Sequence, residues 1–365
     1  MRIGLVTRHL GLPVGFGSYA AGLMRALDEA DAGHEYVVYA PARGDAPALS
    51  PAFRFRRFRV PALRSALVLW DLTAAPAAAA LDRVDVLHYL YPAYPALAPR
   101  RPVVASVLDA IAFVVPGYEL PAPYARLEAR AARRADRVLT ISQSARADIA
   151  RVHSVPAERI EVTELGAPAT DPVESPRGDY FLFVGGSERR KGVRDALEAL
   201  EDARVGEMRL KVVGPHDASA LFDARSDLPD VPRVDWLGRV GADELAALYR
   251  GALALVFPSR YEGFGLPVLE AMARRTPVIA ARSSSIPDVA GDEAILVEPG
   301  DVEALRSAME RLRADAALRR ELIDKGVRNA ARFTWERTAQ KTLAIYEAVA
   351  RARSSSSKSV STFSA

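Results

Sequence analysis

In the stretch Leu253-Ala-Leu-Val-Phe-Pro-Ser-Arg-Tyr-Glu-Gly-Phe-Gly-Leu-Pro-Val-Leu-Glu-Ala-Met272, a short apolar run ends on a proline. A glycine-containing loop follows, and a second proline opens a helical pattern. An apolar run of this length, bounded by turns, suits a strand buried in a parallel sheet. Pro267 suits the start of a helix because it lacks an N–H that would be orphaned there. The backbone N–H groups of Gly263, Phe264, Gly265 and Leu266 lie ahead of the helix's internal hydrogen bonding, where its dipole adds positive potential. Together they make an anion site suited to a phosphate, and the two glycines let the backbone approach a ligand closely. Glu262 stands before the loop and Glu270 about one turn inside the helix. The second carboxylate can accept hydrogen bonds from a vicinal diol such as a ribose, and the first can meet a sugar hydroxyl. Taken alone, the pair reads equally well as ordinary capping and surface carboxylates.

The same strand–loop–helix unit recurs outward from this stretch. Residues 180–184, 209–213, 234–237, 277–280 and 294–297 read as strands, with helices at 193–201, 242–250, 267–274, 301–314 and 317–331. An earlier series has strands at 3–7, 36–39, 84–88, 103–107 and 137–141, with helices at 19–27 and 125–135. Residues 166–178, rich in proline and glycine, read as a linker. The expectation is an α/β chain of two Rossmann-like, doubly wound parallel-sheet domains, 1–168 and 178–333. Ligands bind such sheets at the carboxyl ends of the strands, so the site is expected where the domains face across a cleft. A last helix, 334–351, is expected to pack back on the first domain. The serine-rich tail 353–365 is expected to be disordered.

With 365 residues, half of them hydrophobic, the chain can bury a large core. It has no cysteine, which excludes disulfides and thiolate metal sites. A net charge of +3 is too small to argue for nucleic acid. No apolar run reaches the length that spans a bilayer, and Met1 to Arg8 reads as a buried strand rather than a signal peptide. The expected location is cytoplasmic.

Two further loops follow strands. In Val184-Gly-Gly-Ser-Glu-Arg-Arg-Lys-Gly192, Arg190 and Lys191 can neutralise a diphosphate whose charge grows as it leaves. The alternative is a solvated basic turn. Val14-Gly-Phe-Gly-Ser-Tyr19 lacks the full dinucleotide-binding spacing and suits close approach to a ligand instead. His9, His34, His153 and His216 show no metal-ligand spacing, so no metal site is expected. Trp70, Trp236 and Trp335 read as packing residues. Phe53-Arg-Phe-Arg-Arg-Phe-Arg59 with Arg64, and Arg126, Arg130, Arg133, Arg134 and Arg137, form basic surfaces on the first domain. A solvated face is the simpler reading of them. Peripheral contact with anionic lipid at the inner face of the membrane is the other.

Extended to Phe257 through Met272, the opening stretch resembles the E-x7-E signature of the retaining glycosyltransferases of family 4, which have the GT-B fold. Gly15-Phe-Gly-Ser-Tyr19, Asp85-Val-Leu-His88, Thr140-Ile-Ser142, Gly185 to Lys191 and Trp236-Leu-Gly-Arg-Val240 follow in family order. So do Thr276-Pro-Val-Ile279, Ile286 to Gly291 and Glu298-Pro-Gly-Asp301. The resemblance spans residues 1 to about 350 and is denser in the second half. It implies that Glu270 holds the donor ribose and that Glu262 contacts the donor sugar with the amides of Gly263, Phe264 and Gly265. Lys191 and Arg190 would bind the diphosphate, Arg239 and Val240 would border the base, and Gly15 and Gly17 would face the phosphates or the acceptor.

The function implied is metal-independent, retaining transfer of a hexose, mannosyl or glucosyl, from a UDP- or GDP-linked sugar, with no further cofactor. The acceptor would be a glycan, a lipid-linked glycan as in polysaccharide biosynthesis, or a small molecule. The alternatives are a nucleotide- or glycan-binding protein without turnover and a nucleotide-sugar epimerase of related fold. Three positions depart from the family pattern. Leu108 stands where a histidine precedes Asp109, which leaves His88 as the candidate to serve the acceptor side with Asp109, the other reading of His88 being a histidine satisfied at a strand end. Gly186 stands where Arg or Thr is common, and Arg275 where a helix-ending glycine is usual.

Overall fold

The computed structural model describes residues 1–12, 15–97, 99, 101–170, 176–201, 206–215, 228–229 and 231–361. His216 and part of the expected linker lie outside them. The chain forms two units. The first comprises Met1–Val114, Glu119–Gly166 and Thr334–Ala365, and the second Val115–Tyr118 and Ala167–Phe333. Among the described residues, no helix is long and apolar enough to cross a membrane.

The first unit is built on strands β1 (Arg2–Val6), β2 (Glu35–Pro41), β3 (Phe53–Phe58), β4 (Val86–Tyr89), β5 (Val103–Ser106), β6 (Arg137–Thr140) and β7 (Ile160–Val162). They form one parallel sheet in the order β3-β2-β1-β4-β5-β6-β7. Nearly every residue of β2, β4 and β5 is buried, because helices cover both faces of a parallel sheet. Helix α1 (Phe16–Glu29) turns Tyr19, Leu23, Met24 and Leu27 inward at helical spacing. Helices α2 (Arg64–Leu69) and α3 (Ala75–Leu81) are joined by a π-helical turn, Trp70–Ala74. Helices α4 (Ile111–Val114), α5 (Ala122–Arg134) and α6 (Gln143–His153) precede the linker.

The second unit repeats the plan with β8 (Tyr180–Val184), β9 (Arg209–Val213), β10 (Val234–Gly238), β11 (Ala254–Phe257), β12 (Val278–Ala281) and β13 (Ile295–Val297). Its parallel order is β10-β9-β8-β11-β12-β13. Helices α7 (Val193–Glu201), α8 (Ala242–Gly251), α9 (Leu266–Ala273), α10 (Ile286–Ala290), α11 (Val302–Ala314) and α12 (Ala316–Ala330) cover it. Phe181, Phe183, Leu210, Val212 and Val256 share its core with Leu197, Met309 and Leu312. Each such side chain contributes about 1.5–3 kcal/mol by leaving water.

The last helix, α13 (Trp335–Ser361), belongs to the first unit. Gly22 of α1 and Gly166 both abut the Trp335 indole so closely that a Cβ at either would collide with it. Helix α13 also corrects the expected disorder of the tail, since it runs on through Ser361. No glycine or proline interrupts 335–361, so a helix nucleated by packed residues such as Ala339 and Tyr346 propagates into the serines. Residues 362–365 lie outside the described part.

Several elements were not expected, among them α4, α6 and α10 and the three segments that follow. Strand β3 coincides with the basic stretch at 53–59: Phe53 points inward and stacks on Tyr36, ring centroids 4.3 Å apart, while Arg54 and Arg56 pair with Asp82. Arginines alternating with phenylalanines read as surface but build an edge strand. Strand β7 has only three residues, too few to show a period. The α2–π–α3 segment is short and alanine-rich, without caps.

Candidate functional site

In each sheet the winding reverses once, between β1 and β4 in the first unit and between β8 and β11 in the second. That reversal opens a crevice at the carboxyl ends of the strands. In the second unit, the loop 185–192 leaves β8 and the loop 258–265 leaves β11, so the reversal sets two of the motifs side by side.

The two loops are fastened to one another. Arg190 O accepts the Arg260 N–H at 2.7 Å and lies 3.1 Å from Ser259 Oγ. Gly192, at φ 73°, lies so near Pro258 O that a side chain would strike it. The β8 loop therefore passes from a 3-10 turn, Arg189–Lys191, into α7 only through a glycine.

Glu262 is the hub. Lys191 Nζ lies 2.8 Å from its Oε1, and Arg190 Nη1 lies 3.1 Å from its Oε2. The Ser259 hydroxyl donates to Oε1 at 2.6 Å, the Glu262 N–H donates to Ser284 Oγ at 2.7 Å, and the Ser285 hydroxyl donates to Glu262 O at 2.9 Å. Glu262 is 6% exposed, and the Lys191 and Arg190 side chains 13% each. Burial opposes its ionisation, but Lys191 and Arg190 outweigh it and hold the carboxyl below the usual glutamate range. Burial likewise opposes the Arg190 charge, and Glu262 and Glu188 overcome it. Arg190 also donates to Glu188 at 2.8 Å and to Tyr261 O at 2.9 Å, and its guanidinium carbon lies 5.9 Å from the ring centre of Tyr118.

The rest of the motif sits where the chain turns into α9. Gly265 has φ 103°, a backbone conformation that favours glycine, and a Cβ there would lie 2.7 Å from Ile286 Cδ1, a side-chain end that would have to shift. Phe264 is buried edge-on to Phe333, with centroids 5.9 Å apart. Leu266 and Pro267 form the first turn of α9. One turn on, Glu270 accepts the Tyr249 hydroxyl at 2.9 Å. Burial raises its pKa, partly offset by Tyr249 and Arg274. Arg239 and Val240 follow β10 on the same edge of the sheet, and Arg239 is exposed. The structure thus gathers Lys191, Arg190 and Glu262 directly and gives Glu270 a separate partner. Sequence reasoning missed Ser259, Ser284, Ser285, Glu188, Tyr118 and Tyr249. Ser259 stood inside the quoted stretch, whereas Tyr249 lies within the expected helix 242–250, with no local pattern to mark it.

Two family profiles match this chain, "Glycosyltransferase Family 4" over residues 14–169 and "Glycosyl transferases group 1" over residues 178–315. The chain belongs to the family 4, group 1 glycosyltransferases. It is 30% identical over 231 residues to O-antigen chain mannosyltransferase B of Escherichia coli, covering 58% of this chain and 60% of that one. It is 32% identical over 240 residues to an MMP alpha-(1->4)-mannosyltransferase of Mycolicibacterium hassiacum, covering 62% and 58%. The chain thus spans less than two thirds of the length of these curated relatives. A sucrose-phosphate synthase from Thermosynechococcus elongatus superposes with a TM-score of 0.76 at 24% identity, over 96% of this chain and 99% of that one. With WaaG, a glycosyltransferase of lipopolysaccharide biosynthesis, the score is 0.69 at 17% identity, over 94% and 99%. These likenesses are of fold, and the two sheets are those of the GT-B architecture.

In this family 4 chain, the expected residues of the first unit fall in different settings. Gly15 caps α1 at φ 56° and faces open space, whereas a Cβ at Gly17 would meet the carbonyls of His9 and Leu12. Gly17 therefore serves the packing of the loop on the helix. Asp109 caps the next turn, its Oδ1 accepting the Ile111 N–H at 3.0 Å. His88 is a correction to the acceptor-side expectation. It is fully buried, its Nδ1 is 2.6 Å from the Tyr346 hydroxyl, and its Nε2 is 2.8 Å from Ser106 Oγ. Burial depresses its pKa to about 3, so it is a neutral core residue tying α13 to the sheet. At the β1/β4 reversal stands a cluster that the sequence did not suggest. Arg8 Nη1 lies 3.1 Å from Asp71 Oδ2 on the π-helical turn, and the Tyr91 hydroxyl donates to Asp71 Oδ1. His9 packs between Phe16 and Tyr91 at 5.4 Å from each.

Proposed function

We propose that this protein is a retaining hexosyltransferase that takes its sugar from a nucleoside-diphosphate donor bound on the second unit. The observation that carries the reading is the pairing of Lys191 and Arg190 with Glu262 at the β8/β11 reversal. Two fixed cations at strand ends suit a diphosphate whose charge increases as it departs. Glu262, held ionised, keeps both cations in place and presents a carboxylate edge to the sugar. Glu270, oriented by Tyr249, accepts hydrogen bonds from the ribose diol, and the amides around Gly265 lie at the start of a helix, where negative charge is favoured.

Transfer proceeds on one face of the sugar. The bond from the anomeric carbon to the phosphate oxygen breaks, the acceptor oxygen bonds to that carbon from the same side, and the leaving phosphate takes the acceptor's proton. The protein supplies position and charge rather than a nucleophile. The mannosyltransferase names of the relatives support mannose as the sugar. Glycan or lipid-linked acceptors fit their O-antigen chemistry. The test is nucleoside-diphosphate release by the purified chain from GDP-mannose and from UDP-glucose, with the product anomer read by NMR. Binding of a donor with no release from any sugar nucleotide, across a panel of acceptors, overturns the reading.

A further inference from the structure

The first unit holds a cavity of about 630 Å³, apart from the charged residues at either sheet reversal. Its size is that of a small-molecule site. Leu72 of the π-helical turn, Pro76 and Ala80 of α3, Leu87 of β4, and Pro95 and Leu97 of the following loop line it. The lining offers almost nothing polar. The Thr73 hydroxyl is engaged by Leu69 O at 2.6 Å. That leaves Arg101, an exposed lining residue with no hydrogen-bond or ion-pair partner among the described residues.

The walls are held open by a built set of contacts. The Arg130 guanidinium donates to the carbonyls of Tyr94, Pro95 and Ala96 at 3.0, 2.6 and 2.9 Å. Arg353 donates to Pro99 O at 3.0 Å, and the Ala96 N–H donates to Leu72 O at 2.9 Å. The loop is thus clamped to α5, to α13 and to the π-helical turn and cannot collapse onto Leu87. An apolar space kept open in this way suits an apolar occupant. A sugar fits poorly, since among the described lining residues its hydroxyls would find few partners. Lining residue Leu97 is 84% exposed, and Leu81, next to lining residue Ala80, is 81% exposed. Large exposed apolar side chains beside an apolar cavity mark an interaction surface.

We propose that this cavity takes one hydrocarbon chain of a phosphate-bearing membrane lipid, with the head group beside Arg101. The assignment extends beyond donor chemistry, and its test needs no turnover. The probes are dodecyl phosphate, inorganic phosphate and dodecyl maltoside in calorimetric titration of the full chain. Vesicles of phosphatidylcholine, with or without phosphatidic acid, follow in co-sedimentation. The expected result is dodecyl phosphate binding at least about tenfold more tightly than inorganic phosphate, since only the former buries a chain. Ala77→Trp, at an exposed lining position, should weaken it by about tenfold or more, and Arg101→Glu should remove the preference over dodecyl maltoside. Association with phosphatidic acid vesicles should fall in both variants. Wild-type binding in Ala77→Trp, or equal affinity for inorganic phosphate, overturns the assignment. So does vesicle association that Arg101→Glu abolishes and Ala77→Trp leaves intact, because charge alone would then explain it. Ala80→Phe and thermal melts guard against a folding defect in either variant. Donor turnover measured alongside keeps a failure here separate from a failure of the transferase reading.

Discussion

The two sheets wind alike, yet their reversal points carry opposite electrostatics. In the second unit, one carboxylate, Glu262, lies between two cations, and its pKa is held down. In the first, Asp71 faces a single arginine and a tyrosine, and burial wins, raising its pKa to about 6 against the pull of Arg8 and Tyr91. His9 beside it is pushed down to about 4, chiefly by burial and then by Arg8. Shared topology fixes where charged groups collect. Two cations outweigh the burial of Glu262, although Arg190 is shared with Glu188, whereas the single cation beside Asp71 does not outweigh its burial. The second unit keeps its groups charged, as the proposed donor site needs, while Asp71 in the first sits near the boundary of neutrality.

The strongest way to break this comparison is to remove one charge from the ionised cluster. Lys191→Ala and Glu262→Ala should each lower transfer by about 10²–10³-fold, measured as kcat/KM for the donor. Arg8→Ala in the other cluster should leave donor KM unchanged. Equal effects at both sites would erase the distinction.

The pH dependence should run in opposite directions. The lowered pKa of Glu262 gives stability that is present above its ordinary value near 4.5 and is lost as pH falls through the lowered one. Asp71, raised from 3.8 to about 6, contributes stability present below its ordinary value and lost as pH rises through about 6. This amounts to roughly 3 kcal/mol. Depressed His9 slopes the other way over much of the same window, so the variant comparison isolates Asp71. In thermal melts, Asp71→Asn should gain on the wild type between pH 4 and pH 7. Glu262→Gln should gain on it only as pH falls below 4.5. Parallel trends would show that the two carboxylates do not differ as described.

Smaller effects sharpen the picture. Tyr249→Phe removes the hydroxyl that orients Glu270 and should cost about 1–2 kcal/mol in denaturant unfolding, with a several-fold rise in donor KM. Arg275 lies at φ 60°, the left-handed position just past α9 where a glycine is usual. Arg275→Gly should therefore stabilise the fold by about 1 kcal/mol. Its Asp324 partner is 3.9 Å away and mostly exposed, which offsets little of that gain.

The second unit was the more legible half. Four of its strands, β8, β11, β12 and β13, are unbroken apolar runs such as Tyr180–Val184, and Gly265 and Pro267 announce the turn into α9. The first unit hid β3 behind alternating arginines, and the π-helical turn has no composition of its own. What no local pattern carries is partnership. Lys191 and Glu262 are 71 residues apart, and whether they touch depends on β8 lying beside β11. Likewise, His88 looked available until Tyr346, 258 residues away, took one of its nitrogens.

That last contact bears on the order of assembly. The second unit is drawn almost wholly from one continuous span, 167–333, and can form as soon as that span has left the ribosome. The first unit must wait, because Trp335 and Tyr346 follow the second unit's span in the sequence. Until then, the hydroxyl that closes over His88 and the indole that fills the space beside Gly22 are missing. The half of the molecule made first is thus finished last.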